Sequence, residues 1–323
     1  MTNELKTLSD AIRYFSDEQV CIDTVAGMRW PDGPQCHACL MPAPRQHWLK
    51  NQKRWQCRDC GKQYSVKVNT IFEDSAVKLD KWLTAMWMLA NCKNGISSYE
   101  IARSIGVTQK SAWFMLQRIR LAMKNQSLLK LGNQGGPVEM DETFIGGKLK
   151  NMHKSKKPKG TGFSGRPTGS MAKTIVVGML ERNGRVKAEV VAERTRFVLH
   201  ALANKHIDPG ATLITDEWHP YKGTNFSHEV INHAVEYVNG QVHTQGIENF
   251  WALLKRSLGG TYISVEPFHL DRSVDEQAFR YNNRATKDNP LTDADRFALA
   301  LSQISGKRLT YAELTGKVGE SAV

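Results

Sequence analysis

The stretch Pro137-Val-Glu-Met-Asp-Glu-Thr-Phe-Ile145 decides the fold of the larger part of this chain. Apolar and β-branched residues recur along it, which is typical of a β-strand. It carries one candidate site residue, Asp141, and a second run of the same kind, Ala211-Thr-Leu-Ile-Thr-Asp216, ends on Asp216. An acidic residue at the end of a strand is most often a solvated turn residue, so neither aspartate indicates a site by itself.

A helix with one apolar face follows these strands. Between Ile247 and Leu258 the large apolar residues recur at helical spacing, and at about 100° per residue Glu248 and Lys255 share one flank of that face. Carboxylates from three separate elements, with an ammonium group beside one of them, suit an active site that holds two Mg²⁺ (or Mn²⁺) ions against a phosphate. The candidate catalytic residues are Asp141, Asp216, Glu248 and Lys255. The three acids among them are the candidate magnesium ligands.

The elements around these acids predict an α/β domain with a mixed sheet. The strand patterns are Val138–Ile145, Thr174–Glu181, Arg185–Val191 and Thr212–Thr215, with a short extended run at His228–His233. The helical patterns are Arg196–Lys205, Ile247–Leu258 and Pro267–Tyr281. We expect the first strand to lie centrally with the Asp216 strand beside it, so that the two aspartates meet and the Glu248 helix packs across them.

Four cysteines predict a zinc site near the beginning of the chain. Cys36-His-Ala-Cys39 and Cys57-Arg-Asp-Cys60 are two CxxC pairs with seventeen residues between them, which is the spacing of a zinc ribbon with four thiolate ligands. We expect a structural Zn²⁺ ion bound by Cys36, Cys39, Cys57 and Cys60. Basic and aromatic residues alternate between the pairs, which favours either nucleic acid or a protein partner.

A helix-turn-helix is predicted between the ribbon and the α/β domain. Helical patterns at Leu79–Asn91 and from Ser98 onward lead through Gly106-Val107-Thr108 into a third helix that begins at Gln109. Its polar side would face DNA, and its apolar side, with Trp113, Leu116 and Ile119, would pack inward. The residues expected to face DNA are Gln109, Lys110, Ser111, Gln117 and Arg118. An ordinary helical connector is the alternative.

The charge of the chain favours polyanionic partners. The net charge is +12, and residues 146–173 hold eight Lys and Arg residues without one acid. This basic insertion, which includes Lys148 and Lys150, is expected to be a mobile loop that is either solvated or binds phosphate. The beginning of the chain lacks a signal-peptide pattern, and no apolar run is long enough for a membrane span, so we expect an intracellular protein without a membrane partner.

Six sequence motifs together resemble one family. They are Arg29-Trp-Pro-Asp-Gly33, Thr70-Ile-Phe72, Met140-Asp-Glu-Thr-Phe-Ile-Gly-Gly-Lys148, Thr215-Asp-Glu-Trp218, His243-Thr-Gln-Gly-Ile-Glu-Asn-Phe-Trp-Ala-Leu-Leu-Lys-Arg256 and Phe279-Arg-Tyr-Asn-Asn-Arg284. The chain resembles bacterial insertion-sequence transposases of the DDE superfamily, in the ISXO-like group that carries a zinc ribbon before the catalytic domain. The resemblance implies an RNase H-like catalytic core, with Asp141, Asp216 and Glu248 as metal ligands and Lys255 at the substrate backbone. Some relatives carry Asn at the third position.

This resemblance implies a division of the chain and a set of partners. The expected segments are an N-terminal helical segment (1–29), the zinc ribbon (30–68), the helix-turn-helix (69–130), the catalytic domain (135–290) with its basic insertion (146–173), and C-terminal helices or tail (291–323). The partners are double-stranded DNA, as element ends and target, and further copies of the chain. The expected location is the cytoplasm, at the nucleoid when bound to DNA. The candidate DNA-binding residues are Lys255, Arg256, Gln109, Lys110, Lys148 and Lys150.

Two other functions stay open from the sequence. One is a DNA-binding regulator with ribbon and helix-turn-helix but no catalysis, and the other is a structure-specific nuclease that cuts without joining. Four histidines near the acids in sequence are expected to be hydrogen-bonded or exposed rather than metal ligands, and Tyr221 is not expected to be a nucleophile. These histidines are His219, His228, His233 and His243.

Overall fold

The chain folds into two compact units, which this computed structural model shows in detail. One unit is Met1–Lys124 together with Asn283–Val323, and the other is Asn125–Asn282. These two units are coarser than the five segments expected from the sequence, whose boundaries stay predictions. The structure describes residues 5–39, 45–124, 127–133, 136–156, 173–182, 184–217, 219–231, 244–287 and 289–317.

The second unit is built on a five-stranded mixed sheet. Its strands are β4 (Pro137–Ile145), β5 (Thr174–Glu181), β6 (Val186–Val191), β7 (Thr212–Asp216) and β8 (Ser227–Ile231). Their order is β6-β5-β4-β7-β8, with β4 antiparallel to β5 and parallel to β7. The mixed α/β class, the central first strand and the neighbouring Asp216 strand are therefore confirmed.

Among the described residues of this unit, three helices cover the two faces of the sheet. They are α6 (Arg196–His206), α7 (Gln245–Ser257) and α8 (Leu270–Asn282). Residues of α6 share an apolar core with Val138 and Met140 of β4, whereas α7 and α8 share a separate core with Val176 and Leu180 of β5. Because side chains alternate along a strand, the face that holds Met140 is not the face that holds Asp141. Asp141 thus lies on the α7 side.

The element boundaries differ from the expected ones by one to three residues. The helix expected at Pro267 begins at Leu270, and residues 267–269 before it form a 3₁₀ turn. Helix α7 ends at Ser257 and continues into a π-helical turn, Leu258–Tyr262. In the basic insertion, residues up to 156 form two single 3₁₀ turns, and residues 157–172 lie outside the described ranges.

The first unit contains the ribbon sheet and seven helices in its described residues. The strands are β1 (Gln46–Leu49), β2 (Arg54–Cys57) and β3 (Gln63–Tyr64), all antiparallel. The helices are α1 (Leu8–Tyr14), α2 (Glu18–Arg29), α3 (Leu79–Asn91), α4 (Ser98–Ile105), α5 (Gln109–Met123), α9 (Asp293–Ser302) and α10 (Tyr311–Thr315). None of the helices in the described ranges is long and apolar enough to cross a bilayer.

Local signals explain why α4 and α5 form the expected helix-turn-helix. Ser97 and Glu100 close a capping box at the start of α4, and Gly106 ends that helix in the left-handed region with φ of 63°. Thr108 then caps α5 through the backbone N–H of Ser111.

Two residues of α5 that were expected to face DNA are buried instead, so the expectation is wrong for them. Gln117 and Arg118 are only 4% and 3% exposed. The Arg118 guanidinium donates to the carbonyl oxygens of Ile71, Glu73 and Leu309 at 2.7 to 2.9 Å. This side of α5 is therefore covered by residues 71–73 and by the C-terminal residues of the same unit, and Arg118 is a structural residue.

The C-terminal segment is an integral part of the first unit. Phe297 of α9 packs against Phe15 and Trp87, with ring centroids 5.5 and 5.4 Å apart. The buried Lys307 ammonium donates to the carbonyl oxygens of Ala122 and Lys124 at the end of α5. The sequence predicts C-terminal helices or a tail over residues 291–323, and α9 is a helix of this segment whose apolar face completes this core.

Candidate functional site

Asp141 and Asp216 lie at matching positions on two neighbouring parallel strands. The paired register of β4 and β7 ends at Glu139 opposite Ile214, and two residues further along both strands come Asp141 and Asp216. Side chains two residues apart on a strand share a face, and neighbouring strands are about 4.8 Å apart. Both carboxylates therefore belong to the face that α7 covers. Their metal-binding role stays a prediction.

The Asp141 carboxylate is partly buried and held in one orientation. The indole N–H of Trp251, in α7, donates to its Oδ2 at 2.9 Å. Burial raises the pKa of Asp141 to about 6, and the negative charges of Glu142 and Asp216 act in the same direction. The fold thus places a carboxylate where its charge is unfavourable, and a divalent cation would offset this charge.

Replacing Asp141 by Asn is expected to stabilise the protein when no Mg²⁺ is present. Asn keeps an oxygen that accepts the Trp251 N–H but carries no charge. Because the folded-state pKa is raised, the destabilising cost of the charged carboxylate appears as pH rises from about 4 to about 6 and is complete above that range. The free energy of unfolding at pH 8 is expected to increase by up to about 3 kcal/mol, at about 1.4 kcal/mol per pKa unit. Thermal unfolding in zinc-containing, Mg²⁺-free buffer at pH 8 and pH 4.5 measures it. An equal gain at both pH values would contradict the charge explanation.

Glu248 lies in the first turn of α7 and is exposed. The Thr244 hydroxyl donates to its Oε1 at 3.4 Å. Glu248 precedes Trp251 by three residues, so both lie on the same side of the helix. In the part of the chain that the structure describes, the carboxylates of Asp141, Asp216 and Glu248 do not form a metal-ligand group as compact as that of the cysteines. Like charges repel, so a closer approach of all three requires a cation between them.

A fourth acid, Glu139, fixes the position of α7 and was missed from the sequence. Its side chain is 1% exposed, accepts the backbone N–H of Ile247 at 2.9 Å and pairs with Arg182 at 3.2 Å. Gly246 allows this close approach, since a Cβ there would lie 2.8 Å from Glu139 Oε2. The signal in the sequence was the spacing, because residues 139 and 141 share one face of the strand.

A glycine opposite Asp141 leaves room for the Trp251 ring to lie against the sheet. Gly178 of β5 is the cross-strand partner of Asp141. A Cβ on Gly178 would lie 2.6 Å from the Trp251 ring and 2.8 Å from Ile247 Cδ1, which is too close for both. The indole therefore reaches Asp141 only because residue 178 has no side chain.

Gly178→Ala is expected to destabilise the second unit by about 1–3 kcal/mol, because the added methyl group must displace α7 or the indole. Gly136→Ala is the matched control, since a Cβ there meets nothing within 4 Å. Urea unfolding of both variants measures the difference. Equal stability of Gly178→Ala and the unsubstituted protein would show that α7 does not pack against β5 in this way.

The opposite face of the sheet holds a separate polar group. Tyr221 is buried and donates to Glu142 Oε2 at 2.5 Å, while Arg194 pairs with Glu142 Oε1 at 2.7 Å. Burial, followed by the charge of Glu142, raises the pKa of Tyr221 well above its ordinary value. A phenol in this state is a poor nucleophile, in agreement with the expectation.

Of the four histidines, the structure describes the surroundings of one side chain. His228 Nε2 forms a 2.8 Å hydrogen bond with the hydroxyl of Thr215, the residue before Asp216. His219 begins a 3₁₀ turn. His233 and His243 lie outside the described residues. The expectation of a hydrogen-bonded histidine is met by His228.

The candidate DNA-binding side chains are mostly at the surface. In the second unit, the candidate residues Lys148, Lys150, Lys255 and Arg256 are exposed. In the first unit Lys110 is exposed, with its ammonium group 4.8 Å from the centre of the Tyr311 ring, and the half-buried Gln109 donates to Ser98 Oγ at 2.8 Å. Their contacts with DNA stay predictions.

The four cysteines of the ribbon form a compact ligand group. The sulfur atoms of Cys36 and Cys60 are 3.6 Å apart, as are those of Cys39 and Cys57, and all four lie within 4.8 Å of one another. A tetrahedral Zn²⁺ ion with Zn–S bonds of about 2.3 Å requires S···S separations of roughly 3.8 Å. The backbone N–H of Cys60 lowers the pKa of Cys57 to about 7, which favours the thiolate that zinc binds. These residues fit the ion.

Comparisons with known proteins match the two segments of the chain that carry these residues. A family model described as "ISXO2-like transposase domain" matches residues 134–282, and one described as "Transposase zinc-ribbon domain" matches residues 16–63. The "Uncharacterized protein in transposable element ISH50" of Halobacterium salinarum is 27% identical over 256 residues, which cover 76% of this chain and 85% of that protein. The solved structure "Crystal structure of a pre-cleavage Mos1 transpososome" is 14% identical and covers 61% of this chain and 75% of that chain, with a TM-score of 0.20.

The two family matches contain the residues that the sequence singles out. All four cysteines lie in the zinc-ribbon match, which together with their geometry supports a structural Zn²⁺ ion. The three acids and Lys255 lie in the transposase match. The resemblance seen in the motifs is thus confirmed: the chain carries an ISXO2-like transposase domain over residues 134–282, preceded by a transposase zinc-ribbon domain over residues 16–63.

Proposed function

We propose that this protein binds the ends of an insertion sequence and catalyses strand cleavage and strand transfer with two Mg²⁺ or Mn²⁺ ions. One observation carries the proposal: Asp141 and Asp216 occupy matching positions on adjacent parallel strands, under the helix that carries Glu248 and Lys255. Carboxylates from three elements around one place are the oxygen ligands that such ions prefer.

Each residue of the site has a separate task in this proposal. Bound ions would activate a water molecule and stabilise the leaving 3′ oxygen. Asp141 and Asp216 would hold the ions through carboxylate oxygens on two neighbouring strands. Glu248 supplies a third carboxylate from α7. The side chains of the site attack no phosphorus atom, so no covalent link to DNA forms.

The positions of α7 and β4 are joined at two points, which supports their joint action. Glu139 holds the first turn of α7 through the N–H of Ile247, and Trp251 holds Asp141 one turn further along. Lys255 follows Trp251 by four residues and is exposed, so it can reach a phosphate beside the carboxylates. We infer that α7 sets the distance between the metal ligands and the DNA backbone.

DNA binding is assigned to surfaces of both units. In the first unit, Gln109 and Lys110 begin the second helix of the helix-turn-helix, the position that enters the major groove in such modules. In the second unit, Lys148, Lys150 and Arg256 are positioned to bind phosphates. Because transposition joins two element ends, we propose that at least two copies of the chain act together on DNA.

Lys255→Ala is expected to weaken binding to element-end DNA and to reduce the slope of log affinity against log salt concentration by about 0.9, the value for one lost phosphate contact. Metal binding should not change. Fluorescence anisotropy from 50 to 200 mM salt measures the slope. Lys205→Ala is the control, because Lys205 belongs to α6, on the opposite face of the sheet, where it pairs with Glu189. An unchanged slope for Lys255→Ala would remove this residue from the phosphate path.

One assay separates the proposed function from the two other functions that the sequence leaves open. Zinc-loaded protein is incubated with labelled element-end duplexes and a target plasmid, with and without Mg²⁺ or Mn²⁺. A transposase cleaves at the element end and joins the end to the plasmid only when the divalent ion is present. Cleavage without joining would favour a nuclease, and binding without cleavage would favour a regulator. Either of these results contradicts the proposal.

A further inference from the structure

The ribbon sheet has one aromatic face, which packs inside the first unit. Trp48 lies opposite Trp55, with ring centroids 4.6 Å apart, and Trp55 lies opposite Tyr64. Trp30, at the end of α2, packs against this row with its ring centroid 5.2 Å from that of Trp55. The Cys57 ligand belongs to the same face, because it is two residues from Trp55. This face is structural.

The other face of the same sheet carries a polar row across all three strands. His47 lies opposite Gln56, and Gln56 lies opposite Gln63. His47 and Gln63 are exposed and Gln56 is half-buried. Residues directly opposite one another share a face, so these three side chains form one continuous row. Arg54, two residues before Gln56 and exposed, belongs to this outer face as well.

The charge around this row favours a polyanion. Residues 45–64 include six Lys and Arg residues and a single acid, Asp59. Arg45 pairs with that acid at 2.8 Å, and Lys53 pairs with Glu18 of α2. Arg54 and Gln63 line a groove that also contains Glu73 and Asp74, and both of these acids pair with Arg308. A surface with this excess of cations around amide side chains is unsuited to an acid-poor or apolar protein partner and suits the phosphates of a duplex.

The size and chemistry of the row suit base edges. The row spans two strand spacings, about 10 Å, and the major groove of B-DNA is about 12 Å wide. A glutamine amide can donate to and accept from one adenine at the same time, and strands read DNA in several known folds. Gln56 Nε2 donates to the Gly61 carbonyl at 3.4 Å, a long and weak bond that DNA can replace.

We propose that the outer face of the zinc ribbon reads DNA sequence in the major groove, with Gln56 and Gln63 contacting adenine edges, His47 at the end of the row, and Arg54 on a flanking phosphate. The ribbon then gives base preference in addition to the helix-turn-helix. This inference depends on the proposed function only in taking DNA as the partner, and it requires no catalysis.

Parallel selections from one duplex library test it. Full-length, zinc-loaded protein selects from duplexes with a randomised 30-base-pair centre in Mg²⁺-free buffer, so cleavage does not interfere. The Gln56→Ala, Gln63→Ala double variant is compared with the unsubstituted protein. Gln52→Ala is the matched control, an exposed glutamine in the turn between β1 and β2. Zinc content and thermal unfolding show that each variant is folded, and Gln63→Ala alone replaces the double variant if the latter loses zinc.

The double variant is expected to bind the selected sequence about tenfold more weakly and to lose preference at about two A·T base pairs, while the rest of the selected sequence is kept. Arg54→Ala should weaken binding to every duplex and lower the salt slope by about 0.9. Gln52→Ala should resemble the unsubstituted protein. An unchanged selected sequence, or an equal loss of affinity for all sequences in the double variant, would overturn base reading by the ribbon. Absence of cleavage in the separate Mg²⁺ assay would count against the proposed function alone.

Discussion

Asp141→Asn is expected to lower the rate of strand cleavage by about three orders of magnitude while binding of element-end DNA is retained. The substitution removes one charged oxygen ligand, and the charge stabilisation that a metal ion supplies in such reactions is several kcal/mol, or about a thousandfold in rate for 4 kcal/mol. Asn is nearly the same size as Asp and still accepts the Trp251 N–H, so the fold should be intact. Single-turnover cleavage in Mg²⁺ or Mn²⁺ measures the rate.

Asp216→Asn should have a loss of similar size, and the double variant should be little worse than either one. Ligands that act as a unit are not additive, since the first removal already disables the site. Glu229→Gln in β8 is the control, an exposed carboxylate that should be replaceable without loss. Cleavage by Asp141→Asn at the unsubstituted rate would exclude a ligand role for Asp141.

Cys57→Ser is expected to release the zinc ion and to unfold the ribbon. Structural zinc contributes about 10–16 kcal/mol of binding free energy in small zinc-dependent domains, more than this three-stranded sheet can supply by apolar burial. The result is measured as zinc content per chain and as new proteolytic cleavage between residues 45 and 64. Helices α3 to α5 should stay folded, because they pack against one another and against α9.

Cys92→Ser is the matched control for this variant. Cys92 follows α3 and does not belong to the ligand group. Its substitution should leave one zinc ion per chain. Retention of zinc by Cys57→Ser, with the ribbon still protected from protease, would show that four thiolates are not the ligand set.

The sheet and its two aspartates could be predicted because their signals are local. The local pattern of apolar and β-branched residues predicts both β4 and β7. The turn before Arg185 joins two further strands, β5 and β6, as a hairpin. The strand order then places Asp141 beside Asp216. The zinc ribbon with four thiolate ligands could be predicted equally well, because two CxxC pairs at this spacing have few other structural uses.

The supporting contacts could not be predicted because their partners are distant in sequence. Arg118 reads as a DNA-facing residue of α5, but its partner Leu309 lies 191 positions away. Trp251 reads as an apolar core residue, and its hydrogen bond to Asp141, 110 positions away, depends on the small size of Gly178. Periodicity predicts which face of a helix is buried, but it does not predict which polar atom of another segment that face will contact.

Glu139 shows the same limit for the candidate site. Two acids on one strand face, at positions 139 and 141, look alike in sequence. In the structure Glu139 is neutralised by Arg182 and used to hold α7, whereas the pKa of Asp141 is raised to about 6 by burial and neighbouring acids. The difference comes from Arg182 at the end of β5, which only the sheet brings close.

The central claim is that Asp141, Asp216 and Glu248 bind the same divalent ions. Anomalous diffraction from crystals of the protein with element-end DNA and Mn²⁺ tests this claim most directly, because Mn²⁺ scatters anomalously and is located independently of the protein atoms. We expect manganese peaks within about 2–2.5 Å of carboxylate oxygens of Asp141 and Asp216, with Glu248 drawn toward them, and no such peaks in Asp141→Asn. Well-ordered DNA and protein with no manganese between these three residues would contradict it.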